Sequence, residues 1–146
     1  MLPSQYGDGL NTAQPVRDLL KAGVRVHFEG GKPDEPPMWR AQRFITRVAR
    51  QATRSERGTA AGASGNLVWG AQHAVTRQEA LRLLTIEAAF FINEEKMLGS
   101  IEKGKYADVV VMNGDYMMAP ENEIEKLEPV MTIVGGKVVY EVPPSR

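Results

Sequence analysis

Residues that could bind a metal ion or transfer a proton are few in this sequence. It contains two histidines, His27 and His73, and no cysteine. A catalytic zinc ion normally takes about three protein ligands and keeps one further position for water, and neither histidine has a second His or Cys at ligand spacing. A lone histidine in a run such as Val26-His27-Phe28 is more often packed than coordinating. The two histidines alone therefore do not indicate a zinc site.

Two carboxylates follow His27 in a stretch rich in glycine and proline. Glu29 and Asp34 flank the run Gly30-Gly31-Lys32-Pro33. Either carboxylate could reach a metal or a substrate if the loop were remodelled. Loop side chains are usually solvated, and we favour that interpretation for both residues.

A series of arginines at helical spacing is a second candidate for function, as a nucleic-acid surface. Residues three and four apart share a helix face, so this series would lie opposite an apolar stripe. The arginines are Arg40, Arg43, Arg47, Arg50 and Arg54, and the apolar residues are Met38, Ala41, Ile45 and Val48. Nucleic-acid binding would give phosphate contacts and a steep salt dependence, but flanking lysines are absent and the chain as a whole is neutral. We interpret the series as the solvated face of an amphipathic helix.

Composition narrows the class of protein. The chain has 146 residues, 18 cationic and 18 anionic, so its formal net charge is zero and no overall field attracts nucleic acid or an anionic membrane. The lack of cysteine excludes a disulfide framework and a thiolate metal site. No segment approaches the roughly 20 apolar residues of a membrane span, and the N-terminus has no secretion signal pattern. We expect a cytoplasmic protein with no nucleic-acid or membrane partner.

The first half of the chain predicts helices around one strand. A helix begins at Pro15 and stops at Gly23, and the β-prone run from Val24 to Phe28 predicts a strand that opens onto the glycine-rich loop. An amphipathic helix is predicted from Met38 to Ala49. The stretch from Gly58 to Asn66 predicts a loop.

The second half begins with a helix and continues as strands. Thr76 with Glu79 forms a capping box before an apolar stripe, and Thr85 marks a kink between two shorter helices. A strand is predicted from Val109 to Met112. Near the C-terminus, Gly135-Gly136 separates two β-branched runs, which predicts a hairpin. We expect the region from Thr76 to Tyr140 to be the most ordered part of the chain.

Five sequence pieces in series carry a resemblance to a known family. They are Thr76 to Leu81, Thr85 with Ala88-Ala89, Gly99 to Lys105, Ala107 to Val111, and Gly135 to Tyr140. In this order and spacing they resemble the C-terminal signature of the amidohydrolase superfamily, in the branch called amidohydrolase family 3. The run from Ala22 to Phe28 is similar to the last helix-to-strand junction of that family's barrel.

The resemblance implies an α/β fold built on a TIM-type (β/α)8 barrel that carries a small β-sandwich. Such a barrel takes about 250 residues, more than this chain contains. The expected structure is therefore a C-terminal fragment of the fold. Residues 12–92 would be the remnant of the last β/α units of the barrel, and residues 93–142 would be sandwich strands.

The resemblance also implies the chemistry, since family members use a divalent metal of the zinc type to activate water. Most of the family's metal ligands lie on earlier barrel strands, and only an Asp that ends the eighth strand could lie in this chain. Gly31 occupies that position and can neither bind a metal nor accept a proton. We therefore assign no catalytic and no metal-binding residue, and place Glu29, Gly31 and Lys32 at the rim of the substrate pocket.

Two functional hypotheses follow. The chain is the C-terminal portion of a metal-dependent amidohydrolase acting on non-peptide C–N bonds, inactive in isolation and without a metal of its own. Alternatively, it is a non-catalytic association module that forms a homo-oligomer or pairs with a complementary chain carrying the rest of the barrel. An adjacent reading frame that encodes a His-x-His strand and the mid-barrel ligands would favour a split enzyme, and the absence of such a frame would favour the module.

Overall fold

The structure, a computed structural model, describes residues 14–28, 36, 38–49 and 67–143. In chain order its described elements are α1 (Val16–Lys21), α2 (Trp39–Thr46), β1 (Val48–Ala49), β2 (Leu67–Val68), a first 3-10 helix (Ala71–His73), α3 (Arg77–Leu84), α4 (Ile86–Phe91), β3 (Val109–Met112), a second 3-10 helix (Glu121–Lys126), β4 (Pro129–Val134) and β5 (Lys137–Glu141). Strands β1 and β2 form an antiparallel pair, and β3, β4 and β5 form an antiparallel sheet in that order. The predicted loop over residues 58–66 lies outside the described residues.

Helix α1 ends as its sequence predicts. Gly23 takes φ +74° and its N–H donates to the Leu20 carbonyl at 3.0 Å, while the Val24 N–H donates to the Leu19 carbonyl at 2.9 Å. This pair of bonds is a Schellman motif, which satisfies carbonyls that a helix end otherwise leaves open. The conformation needs a residue that tolerates positive φ, and glycine does so without strain.

The strand predicted from Val24 to Phe28 was wrong, because these residues form no β-ladder within the described part of the chain. Instead, the Phe28 N–H donates to the Leu83 carbonyl at the end of α3, at 3.0 Å. A strand exists only through its neighbours' hydrogen bonds, and the described neighbour of Phe28 is a helix end. Local β propensity could not reveal this.

Helix α2 is shorter than predicted. It stops at Thr46, Arg47 takes the left-handed conformation at φ 55° and ψ 22°, and Val48 and Ala49 continue as strand β1. Val48 pairs with Val68 across the ladder, and Ala49 pairs with Leu67. The last three residues of the predicted helix were therefore wrong, because the pairing of a distant segment outweighed their place in the apolar stripe.

The predicted features of the helical pair α3 and α4 are confirmed. The Glu79 N–H donates to Thr76 Oγ1 at 3.2 Å, and the Thr76 N–H donates to Glu79 Oε2 at 2.6 Å, which completes the capping box. Thr85 separates the two helices at φ −121° and ψ −83°. The local signals of residues 76–91 thus specify where both helices lie.

The strands near the C-terminus also form where the sequence places them. Gly135 and Gly136 turn the chain between β4 and β5 at φ +55° and +77°. Asp108, which directly precedes β3, also contacts the turn, since its Oδ1 accepts a hydrogen bond from the Gly135 N–H at 2.7 Å. The hairpin and the strand at Val109–Met112 are confirmed.

The apolar core joins the helices to the segment between β3 and β4. Its buried residues are Val16, Phe28, Ala41, Phe44, Ile45, Val75, Ala80, Leu83 and Ile124. Ile124 lies in the second 3-10 helix. The next residue of that helix, Glu125, donates its backbone N–H to Gln42 Oε1 at 2.8 Å. The segment before β4 therefore packs on α2.

No helix among the described residues is long and apolar enough to cross a membrane.

Gly99 provides a test of how closely the chain after α4 packs on the helices. A Cβ at Gly99 would lie 2.8 Å from Ala89 Cβ and 3.0 Å from Ile86 Cα, whereas a Cβ at Gly104 would meet nothing within 4 Å. Both glycines have positive φ, +88° and +95°. We expect Gly104→Ala to lower the free energy of unfolding by about 1 kcal/mol from backbone strain alone, and Gly99→Ala by about 2–4 kcal/mol because crowding adds to the strain. Chemical denaturation of both variants measures the difference, and equal losses would contradict the close packing.

Candidate functional site

The residues predicted to form the rim of the pocket come after Phe28, which is buried in the core. Glu29, Gly31 and Lys32 lie outside the described residues, as does Asp34. Phe28, which precedes Glu29, is 7% exposed, and its ring stacks on Phe44 with centroids 4.3 Å apart. Phe28 is therefore held between α2 and the end of α3, and the assignment of the rim residues stays a prediction.

His27 packs against an aromatic ring. Its imidazole stacks on Phe91 of α4, with ring centroids 3.9 Å apart and an interplanar angle of 30°. Successive residues of an extended segment point to opposite sides, so Phe28 enters the core while His27 covers the end of α4. The stacking on Phe91 therefore accounts for the position of the His27 side chain.

His73 is buried beside a carboxylate. The residue is 5% exposed, and its Nδ1 lies 3.2 Å from Asp18 Oδ2 of α1, without hydrogen-bond alignment. The Asp18 side chain is largely exposed. His73 ends the first 3-10 helix. The contact links that helix to α1.

A second polar contact lies next to the first. Arg17 donates from Nε and Nη2 to the Ala74 carbonyl at 2.9 and 2.6 Å, and from Nη1 to Glu79 Oε1 at 2.7 Å. Burial raises the pKa of Glu79, but hydrogen bonds from Thr76 and the charge of Arg17 outweigh it, so the pKa lies below its ordinary value. Both carboxylate oxygens of Glu79 thus accept hydrogen bonds from neighbours. The geometry suits a structural ion pair that joins α1 to α3 better than a proton acceptor.

The interpretation of the arginine series as a solvated helix face was wrong at Arg47. We expected it on a solvated helix face, but it is 0% exposed. Its Nε donates to the Trp69 carbonyl at 3.1 Å, and its guanidinium carbon lies 3.7 Å from the centroid of the Trp69 ring. Because the chain leaves the helix at Arg47 in the left-handed conformation, the side chain turns inward. Burial and the nearby charge of Arg43 lower the pKa of Arg47.

The other two described arginines of the series, Arg40 and Arg43, differ from Arg47. Arg40 and Arg43 are partly exposed, with guanidinium carbons 6.0 and 4.6 Å from the Trp39 ring centroid. Arg50 and Arg54 lie outside the described residues. The two described arginines within α2 thus have the partial exposure expected of an amphipathic helix.

The described residues do not fit a catalytic metal centre. Residues 14–28, 36, 38–49 and 67–143 contain no group of three or more His, Cys, Asp or Glu side chains that could hold a metal ion. Catalytic zinc takes about three protein ligands. No step of a metal-dependent reaction can therefore be assigned to these side chains.

Sequence reasoning missed two features of this region. No linear signal pairs Arg17 with Glu79, since the two lie 62 positions apart. The burial of Arg47 had one partial signal, the β-branched Val48 that follows it and favours a strand. Both contacts depend on how distant segments meet.

Comparisons with known proteins agree on one family. A model described as the amidohydrolase family matches residues 5–140. An N-substituted formamide deformylase of Arthrobacter pascens is 35% identical over 132 residues, which are 87% of this chain and 21% of that protein. A putative amidohydrolase of Bacillus subtilis is 27% identical over 136 residues, 92% of this chain and 24% of that protein. The chain thus spans less than a quarter of the length of these relatives.

Two solved structures have a fold similar to that of this chain. An amidohydrolase from Thermotoga maritima matches with a TM-score of 0.56 at 21% identity, over 87% of this chain and 26% of that one. A triazine hydrolase variant matches with a TM-score of 0.53 at 21% identity, over 87% of this chain and 27% of that one. The likeness supports the coarse fold prediction, an α/β chain that corresponds to about a quarter of each of these structures.

Arg47 offers a test of whether its buried cation stabilises the fold. Arg47→Met keeps much of the side-chain volume but removes the donor to the Trp69 carbonyl and the cation above its ring. We expect the free energy of unfolding to fall by about 2–3 kcal/mol. Arg82→Met is the matched control, because the Arg82 side chain is 57% exposed, and we expect a change within about 0.5 kcal/mol. Thermal and urea unfolding compare the two, and similar stability of both variants would refute a stabilising role for Arg47.

Proposed function

The chain belongs to the amidohydrolase family, and from this premise we propose that it is the C-terminal portion of a metal-dependent amidohydrolase, inactive as an isolated chain. One observation carries the proposal: the family match extends over residues 5–140, yet the relatives are matched over only 21% and 24% of their own length. Residues 12–92 then correspond to the last units of the barrel and residues 93–142 to strands of the β-sandwich.

The bond attacked in the whole enzyme is a non-peptide C–N bond. The relative at 35% identity over most of this chain is named a deformylase of N-substituted formamides. A further relative, a 5-methylthioadenosine/S-adenosylhomocysteine deaminase of Symbiobacterium thermophilum, is 35% identical over 75 residues. Both names refer to reactions at a carbon bonded to nitrogen. They support the bond class and leave the substrate open, because the loops that select it come from all the βα units of such a barrel.

The rim of the pocket is the contribution of this chain to the site. Glu29, Gly31 and Lys32 directly follow Phe28, which the stack on Phe44 and the bond to Leu83 hold in place. A loop held at its base by a rigid core is a usual support for binding residues. The family's Asp position is Gly31, so this loop shapes the pocket without ligating the divalent metal of the parent enzyme.

An alternative function has its own supporting observation. The sheet formed by β3, β4 and β5 carries exposed apolar residues on all three strands, among them Val110, Val134 and Val139 at 53%, 50% and 61% exposure. Exposed apolar surface of this kind favours association. As a non-catalytic module, the chain would pair with a second copy or with a chain carrying the rest of the barrel.

Metal binding tests the proposal of an inactive chain. We expect neither the chain nor its Gly31→Asp variant to bind zinc stoichiometrically or to hydrolyse amides and cyclic amides. One added carboxylate supplies a single ligand where about three are needed, and without a bound metal the pKa of water stays far above neutrality.

Calorimetric zinc titration, metal analysis and hydrolysis assays on both proteins check this expectation. A full-length amidohydrolase carried through the same assays is the positive control. Gly30→Asp is the matched control, because it adds the same carboxylate one position from the family's Asp. Tight stoichiometric zinc or metal-dependent turnover by the unchanged chain would overturn the proposal.

A further inference from the structure

Strand β5 presents an open edge. It is the outer strand of the sheet in the order β3, β4, β5, and among the described residues it pairs with β4 alone. All five of its residues are exposed, including Val138, Val139 and Tyr140 at 53%, 61% and 50%. An exposed edge strand offers backbone N–H and C=O groups to another strand.

The sequence of β5 is complementary to itself when read antiparallel. If two copies meet with Val139 opposite Val139, Lys137 of each copy lies opposite Glu141 of the other, and Val138 lies opposite Tyr140. Opposite charges across a ladder and pairs of an aromatic with a β-branched residue are both favourable cross-strand combinations. Every position of the five-residue strand therefore meets a suitable partner in this one register.

We propose that β5 is a homodimerisation strand that pairs antiparallel with β5 of a second copy, in the register that places Lys137 opposite Glu141. The two sheets then join into one continuous sheet across a two-fold axis at Val139. Such an interface is closed, because each copy uses the same strand once. The inference rests on the association alternative of the proposed function and specifies its partner and its surface.

The local geometry of β5 limits the length of the ladder. Ile133 pairs with Val138 and Thr132 with Tyr140, so Val139, which lies on the proposed two-fold axis, is the bulge residue and has no partner in β4. Pro143 has no N–H to donate, which limits the ladder to β5 and its immediate ends.

The opposite edge of the sheet lacks these properties. Strand β3 consists of Val109, Val110, Val111 and Met112, without a charged residue. Antiparallel pairing of β3 with itself would have no charge pair to select a register, and weakly specified strands slip. Charge complementarity thus distinguishes β5 from β3 as the pairing edge.

Charge reversal tests the register. Lys137→Glu places two acidic residues opposite each other at both ends of the ladder, and Glu141→Lys does the same with two basic residues. We expect each single variant to raise the dimer dissociation constant about tenfold or more. The double variant Lys137→Glu/Glu141→Lys restores opposite charges, and so does an equimolar mixture of the two single variants, so both should dimerise about as tightly as the unchanged chain.

Sedimentation velocity over a concentration series measures the dissociation constants, with circular dichroism as the check on folding. Lys126→Glu and Glu123→Lys are matched controls, because they reverse an exposed ion pair in the second 3-10 helix and should leave the dimer unchanged. A monomeric unchanged chain would overturn the association alternative together with this proposal. A dimer that is insensitive to both β5 reversals would overturn the proposal alone.

If a charge variant fails to fold, hydrogen exchange on the unchanged chain decides. The proposal requires the β5 amides to become more protected as protein concentration rises through the dimer dissociation constant, while β3 amides change little. Protection that is independent of concentration in β5 would refute the pairing.

Discussion

The packing of the helices depends on the position of Phe28 between α2 and α3. Its ring stacks on Phe44 of α2, and its backbone N–H donates to the Leu83 carbonyl in the last turn of α3. Carbonyls in the last turn of a helix have no partner within the helix, so this bond satisfies two backbone groups at once. The same residue directly precedes the glycine-rich loop.

A second tie connects the helices to the segment after β3, and it is reciprocal. The Tyr116 hydroxyl donates to the Arg77 carbonyl at 3.0 Å, and Arg77 Nη1 donates to the carbonyls of Tyr116 and Met117 at 2.8 and 3.2 Å. Burial, offset in part by the Arg77 charge, raises the pKa of Tyr116 to about 12, so the phenol stays protonated and keeps its donor at neutral pH. With Ile124 in the core, this tie makes the region between β3 and β4 part of the helical packing.

The features that the sequence predicted are those set by residues a few positions apart. The capping box begins at Thr76, the helix stop lies at Gly23, and the hairpin turns at Gly135, where in each case neighbouring backbone groups specify the geometry. The burial of Arg47 and the missing ladder at residues 24–28 depend instead on distant partners. The site assignment at Gly31 came from family resemblance alone, since no periodicity or spacing in that loop specifies its chemistry.

A stretch of this size can form a core from its own contacts, whereas a hydrolytic centre needs more of the fold. The described helices bury their apolar residues in contacts made inside the stretch, and the ends of α1 and α3 find hydrogen-bond partners there. A barrel active site instead collects its residues from the ends of several strands, and a metal centre acts only when about three of them converge. By the family resemblance, the glycine-rich loop stands at the position of one such strand end, although residues 24–28 form no β-ladder in the described part of the chain. Its side chains can complete a pocket only where the ends of the other strands converge on the same place, which is why we propose a role for this loop at the rim of the pocket.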